Sequence, residues 1–227
     1  RTLVLLEKFD QAFIFSKEIL IYDKDFFELN LLLGLNFFIN KDYSSAEAHF
    51  KKLNKVSQKN FLIDSLLSET LVLWTKVSEN KKNESFALFD QIFDQYSNLK
   101  QIQKIFLNCY FDNDDTENSF RKLIQDEDYN YSRYNFFLAN YLMLDNKHIE
   151  AQKVILESRK LYKTNLLIRQ AENFIANKES KKIQKFFNCK NSNDVLAELF
   201  YIIANLYAGE KEYQLSNFYL KIAMNLN

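Results

Sequence analysis

The chain has no proline and only two glycines, Gly34 and Gly209, in 227 residues. That single fact removes most architectures. Sandwiches and barrels need a turn every 8–12 residues, and the tightest of those turns draw on Gly. Phosphate cradles need several glycines in a short loop, and none can be written here. What is left is a chain of helices joined by polar turns. Apolar residues recur at three- and four-residue spacing, as in Leu31, Leu35 and Phe38, the period of an amphipathic helix. The turns between them are short polar clusters, Asn40-Lys41-Asp42, Asn80 to Asn83, Asp112 to Asp115, Asp145-Asn146-Lys147 and Gly209-Glu210-Lys211. Connections this short give antiparallel helix hairpins.

Charge excludes further classes. Thirty acidic residues balance thirty basic ones, and the pI is near 6.9, so there is no basic footprint for nucleic acid. The richest apolar run, Leu31 to Ile39, is broken by Gly34 and Asn36 and is too short to span a bilayer, so no membrane insertion is expected. The cysteines, Cys109 and Cys189, have no metal-ligand spacing and read as free thiols. The chain begins at Arg1 with no leader and reads as a piece of a longer protein, cytoplasmic or periplasmic.

Hairpins that cannot bury their apolar faces singly should repeat at a fixed period. Glu7-Lys8-Phe9-Asp10-Gln11-Ala12 and Lys41-Asp42-Tyr43-Ser44-Ser45-Ala46 are the same turn and the same small residue, 34 positions apart. Leu33, Gly34 and Phe37 precede the second of these, and Ala46 and Phe50 follow. The last unit carries Phe200, Ile203, Ala204 and Tyr207, then Ser216, Leu220 and Ala223. This pattern resembles the tetratricopeptide repeat, W-x2-L-G-x2-Y followed by a small residue and an aromatic. The small slot runs through Ala12, Ala46, Ser85, Ser119 and Ala151 to Ile183 and Ser216, with spacings of 34, 39, 34, 32, 32 and 33. The 39 places extra residues around Val77 to Asn83. Lys24, Gln58 and Lys163 stand where the family closes a repeat with Pro. The register is open over 61–85 and 164–190. The heavy use of Asn, Lys, Ile and Phe points to an AT-rich bacterial genome.

The resemblance implies an all-α, right-handed α-solenoid of about seven stacked hairpins, the first truncated, filling 1–227 as a single domain. It also implies a concave groove lined by the first helix of each unit. That face is expected to carry Leu31, Leu35 and Phe38, then Lys104, Asn108, Arg133, Phe136, Asn140, Arg169, Tyr201 and Asn205. Asn108, Asn140 and Asn205 share the slot at which peptide-binding members of the family bond the backbone of an extended ligand, since an amide donates and accepts together. Lys104 with Asn108 resembles the start of a carboxylate clamp, but Phe137 and Asn165 replace later members, so no clamp is carried over.

No enzyme is expected. His49 and His148 lack partners at metal-ligand spacing, and no cofactor or metal site can be written. Asp112, Asp114, Asp115 and Glu117 read as a helix-capping turn. The lysines around Ile183, Phe186 and Phe187 read as the solvated face of one amphipathic helix. The function expected is a scaffold that binds a protein, or an extended and partly acidic peptide, in the groove. The alternatives are a substrate-positioning arm for a catalytic domain elsewhere, and self-association.

Overall fold

The computed structural model describes residues 1–24, 26–56, 61–92, 97–125 and 132–227, so Gln58 of the repeat-closing slots lies outside them. The described residues are all-helical, with no strand among them. In chain order the helices are α1 (Thr2–Leu5), α2 (Phe9–Ile19), α3 (Phe27–Ile39), α4 (Tyr43–Val56), α5 (Phe61–Ser78), α6 (Lys82–Gln91) and α7 (Ser97–Tyr110). They continue with α8 (Thr116–Ile124), α9 (Ser132–Leu144), α10 (His148–Leu161), α11 (Leu166–Ala176), α12 (Ser180–Gln184), α13 (Ser192–Gly209) and α14 (Tyr213–Leu226). No helix among the described residues is long and apolar enough to cross a membrane.

One turn recurs through the chain. Glu7, Lys41, Asn80, Asp112, Asn146, Lys178 and Lys211 have φ between 52° and 64°, and they are the described residues with positive φ. Each closes the preceding helix in the same way. At Lys41 the residue itself donates to the Phe38 carbonyl (3.0 Å) and Asp42 donates to that of Phe37 (2.9 Å), the paired bonds of a Schellman cap. The same pair closes α13, from Lys211 to Ala208 (3.1 Å) and from Glu212 to Tyr207 (2.9 Å). Glycine usually supplies this left-handed residue. Here Asn, Asp, Lys and Glu do, so the cap hydrogen bonds and the packing beyond outweigh a cost of about 1 kcal/mol per turn.

The contacts fall into two compact units, Arg1–Gln95 with Ser192–Asn227, and Tyr96–Asn191. In the first, α2 to α6 pack as sequential neighbours and α13 pairs with α14. The α13–α14 pair also returns to the start of the chain, with α13 on α5 and α14 on α1. Ser78 Oγ donates to Ser192 Oγ at 2.7 Å, and Lys221 forms an ion pair with Glu7. Packing between neighbours alone does not include that return. In the second unit, α7 to α12 pack in sequence, and α9 also meets α11 and α12.

The small slots work as close-approach points. A Cβ on Gly34 of α3 would lie 2.6 Å from Phe50 Cδ1 of α4, and nearer still to Cε1. Ala46 and Phe50 on α4 are both fully buried. Ala12, Ser85 and Ala151 are buried at the corresponding points of α2, α6 and α10.

Three sequence readings change. In α8 the slot belongs to Thr116, fully buried with Phe120 and Leu123 behind it, while Ser119 is half-buried and donates to Asp115 Oδ2 at 2.9 Å. The connection before α8, 111–115, is two residues longer than the three-residue turns at 40–42 and 145–147, so α8 begins at the slot itself and the register moves. The five extra residues of the second interval lie in α5, 18 residues against 13 in α3, and the turn at Asn80 keeps the common geometry. The lysine-rich stretch is not one amphipathic helix. With Ile183 where other units carry Ala, Ser or Thr, α12 ends after 5 residues, and Phe186 and Phe187 follow outside it. A branched side chain at a point of closest helix contact overfills it.

Candidate functional site

The second unit brings several of the expected groove residues together, but around a segment of the same chain. Asn140 on α9 is buried, and its Nδ2 donates to the backbone carbonyl of Phe187 and, at 3.4 Å, to that of Ile183. The Phe187 ring stacks on Phe137 of α9 (centroids 4.0 Å apart) and lies 5.1 Å from Phe106 of α7. Phe136 is buried, with its ring 6.3 Å from that of Phe186. Cys189, two residues beyond Phe187, is disulfide-bonded to Cys109 of α7, their Cα atoms 6.0 Å apart. The free-thiol reading is therefore wrong. Two cysteines 80 residues apart carry no spacing signal, and the fold of this unit creates the pairing.

Six of the eleven expected groove residues are not surface. Leu31, Leu35, Phe38, Asn108, Phe136 and Asn140 are all buried. The first three are core of the first unit, where Phe38 meets Tyr43 at 5.4 Å and Phe50 at 6.5 Å. Their helix face is apolar all round, so periodicity alone could not say which stripe another element covers. Lys104, Arg169 and Asn205 are exposed, while Arg133 and Tyr201 are half-buried. Arg133 stands 5.3 Å over the Phe137 ring. Asn205 spends its amide on its own helix, donating to the Tyr201 carbonyl at 2.8 Å. Tyr201 and Asn205 belong to the first unit, and Lys104, Arg133 and Arg169 to the second.

The acidic turn holds its own groups. Asp115 accepts from Asn118 at 3.0 Å and from Ser119, and those two hydrogen bonds draw its carboxyl below the usual range. Asp112 pairs with Lys190. Lys182 pairs with Glu179 at 2.7 Å and lies 5.8 Å from the Phe174 ring centroid.

An open apolar surface lies elsewhere, on the first unit. A groove of about 410 Å³ runs between α2, α3 and α4, with Phe13, Ile14, Leu20, Ile21, Leu33 and Phe37 as its apolar lining. Ile14 is 61% exposed, Ile21 69% and Tyr22 88%. Three polar groups complete the lining, Lys17, Asn36 and His49. The His49 ring stacks on Phe37 at 5.6 Å, and its Nδ1 is 2.9 Å from Asn30 Oδ1. Asn30 spends its Nδ2 on the carbonyls of Lys24 and Phe26, both at 2.9 Å. Its Oδ1 is thus the acceptor, Nδ1 of His49 carries the hydrogen, and Nε2 keeps its lone pair. Burial, helped by the nearby Lys52 charge, holds the imidazole below its ordinary pKa, so His49 is neutral at pH 7. Lys17 and Lys52 have no ion-pair partner among the described residues. Ile14 lies on α2 and Ile21 in the turn after it, and nothing in the sequence marks either as uncovered.

No family model matches the chain, and no curated protein matches it.

Proposed function

We propose that the chain is a tetratricopeptide-like α-solenoid whose role is binding, not catalysis, and that it serves as a scaffold for a protein partner. Support for the repeat comes from seven Schellman turns of common geometry at 32- to 39-residue intervals. A right-handed stack is the handedness such repeats adopt.

The observation that carries the binding role is the groove of α2, α3 and α4. Contiguous exposed apolar surface of this kind marks interaction sites on folded proteins. With Lys17 and Lys52 uncompensated beside an apolar floor, the partner that fits is an apolar segment bearing carboxylates. This keeps the partly acidic character expected of the ligand and moves it from the inner face to the α2 side.

A partner captured by the wild-type chain should be lost when Ile14→Glu and Ile21→Glu are combined. The expected weakening is tenfold or more, on the order of 1.4 kcal/mol, and the melting temperature should hold because both side chains are exposed. Ile149→Glu with Leu166→Glu, equally exposed apolar positions of the second unit, should bind as wild type. Equal behaviour of the two pairs would remove the groove from consideration. A second reading, self-association, rests on the same exposed side chains: sedimentation would then show a dimer that the Ile14 and Ile21 changes dissolve.

A further inference from the structure

The polar lining of the α2 groove is decided by which ends of its side chains are already taken. Asn30 is fully buried with its Nδ2 on the carbonyls of Lys24 and Phe26, so its Oδ1 is left to accept from His49 Nδ1. The stack on Phe37 holds the plane of the ring. His49 therefore offers Nε2, a lone pair with no partner among the described residues, on a ring that lines the groove. Asn36 is taken at the opposite end. Its Oδ1 accepts from Asn40 Nδ2 at 3.2 Å, which leaves its own Nδ2 as the open end. Lys17 completes the lining with an ammonium that has no ion pair among the described residues. Two of the three polar groups thus offer donors, and the third becomes a donor on taking a proton. The charges beside the ring are Lys52 on α4 itself and Lys17 across the groove from α2. Acids of the neighbouring helices are engaged elsewhere: Glu28 of α3 by Arg1, Glu47 of α4 by Lys51 and by Lys76 of α5, and Glu69 of α5 by Ser65. Asp10 and Glu18 of α2 are not in the lining.

Taking the binding role proposed for this groove as given, we infer that His49 is its acid-sensing contact: Nε2 takes a proton from solvent as the partner's carboxylate is seated against it, so proton and partner bind together. Asn30 Oδ1 accepts from Nδ1–H in the neutral and in the charged ring alike, so protonation needs no rearrangement. With the groove empty, burial and the Lys52 charge keep the imidazole neutral at pH 7. A carboxylate seated among Nε2, Lys17 and Asn36 opposes both effects and raises the imidazole pKa. Linkage then gives the sign. Affinity is flat above the pKa of the complex, rises as pH falls through it, and levels off below the lower pKa of the empty site. A partner that offered an N–H to the neutral ring would behave in reverse and bind more weakly in acid. The donors of Lys17 and Asn36 on the same lining select the carboxylate.

The probe is octanoate, an apolar chain with one carboxylate, and the readout is imidazole NMR of the full chain carrying His148→Gln, which leaves a single histidine signal. Octanoate should raise the His49 pKa by about one unit and bind about threefold or more tighter at pH 6 than at pH 8. Octanol, the same chain without the charge, should bind with no pH dependence. His49→Gln should bind octanoate with the pH response gone, and Ile14→Glu with Ile21→Glu should lose both probes. Binding that the isoleucine pair abolishes, with the His49 pKa unmoved, would overturn the His49 contact and leave the groove standing. Tightening in acid that survives His49→Gln, or weakening in acid, would overturn it too. Failure of both probes to bind would remove the groove and the contact together.

Discussion

Gly34→Ala sets two known effects against each other at one atom. The new methyl would favour helix by about 1 kcal/mol, since Gly is among the poorest helix formers and Gly34 is mid-helix in α3. The same methyl would meet Phe50 at 2.6 Å from Cδ1, well inside van der Waals contact. Phe50 has nowhere to retreat, being fully buried with the Phe38 ring 6.5 Å away. Overpacking of this kind costs about 1–3 kcal/mol, which leaves a net loss of roughly 0–2 kcal/mol after the propensity gain. Gly209→Ala supplies the reference. Its Cβ would find nothing within 4 Å and its φ is not positive, so only the propensity gain, about 1 kcal/mol or less at a helix end, should remain. The difference between the two variants therefore isolates the contact. Urea unfolding should place the Gly34→Ala midpoint below that of Gly209→Ala by the equivalent of about 1–3 kcal/mol. Adding Phe50→Leu should bring the two variants together, because the ring atoms in the way are gone. Gly34→Ala at least as stable as Gly209→Ala would refute the close approach of α3 and α4.

Two further outcomes follow from side chains already described. Thr116→Leu should destabilise by about 1–3 kcal/mol and Ser119→Leu by little, since the first is fully buried and the second half-exposed; the reverse order in thermal melts would restore the sequence register. His49 is held below its ordinary pKa of 6.5, so the unfolded chain takes up a proton first. Its contribution to stability is complete above pH 6.5 and is lost as pH falls through the lower folded value. Stability measured from pH 7.5 to 5 should thus drop more steeply in wild type than in His49→Gln, and parallel curves would contradict the burial argument.

What the sequence made legible is local. Six of the seven turns could be read because a Schellman cap is decided by a few consecutive residues, and Glu7, Lys41, Asn80 and Lys211 each stand in such a polar cluster, whereas the turn at Lys178 was hidden in a lysine stretch read as one helix. Helix content followed from the apolar period. Long-range covering was not legible. Leu31 and Leu35 have the same periodicity whether they line a groove or fill a core, and only what packs over them decides. Asn140 was read as a residue facing a partner's extended backbone, and in the structure its Nδ2 is spent on the helix-end and turn carbonyls of Ile183 and Phe187 of its own chain. The clue lay in Ile183, an oversized residue in a small slot, which ends α12 and frees Phe187 and Cys189 to turn inward. The mouth of the α2 groove carried no signal beyond ordinary amphipathic spacing.

The interleaved connectivity of the two units fixes an order of events during synthesis. Residues 96–191 are contiguous, so their unit holds every helix it needs as soon as it leaves the ribosome. The first unit does not. Its α1 to α6 emerge early, but α13 and α14, which pack on α5 and α1, arrive after the whole of the other unit has been made. At about 5–20 residues per second the wait is roughly 5–20 s for about 100 residues. Through that interval the faces of α1 and α5 that receive α14 and α13 stand open to any nascent-chain chaperone. A stop at Ser192 would therefore spare the later-made unit and strand the earlier one.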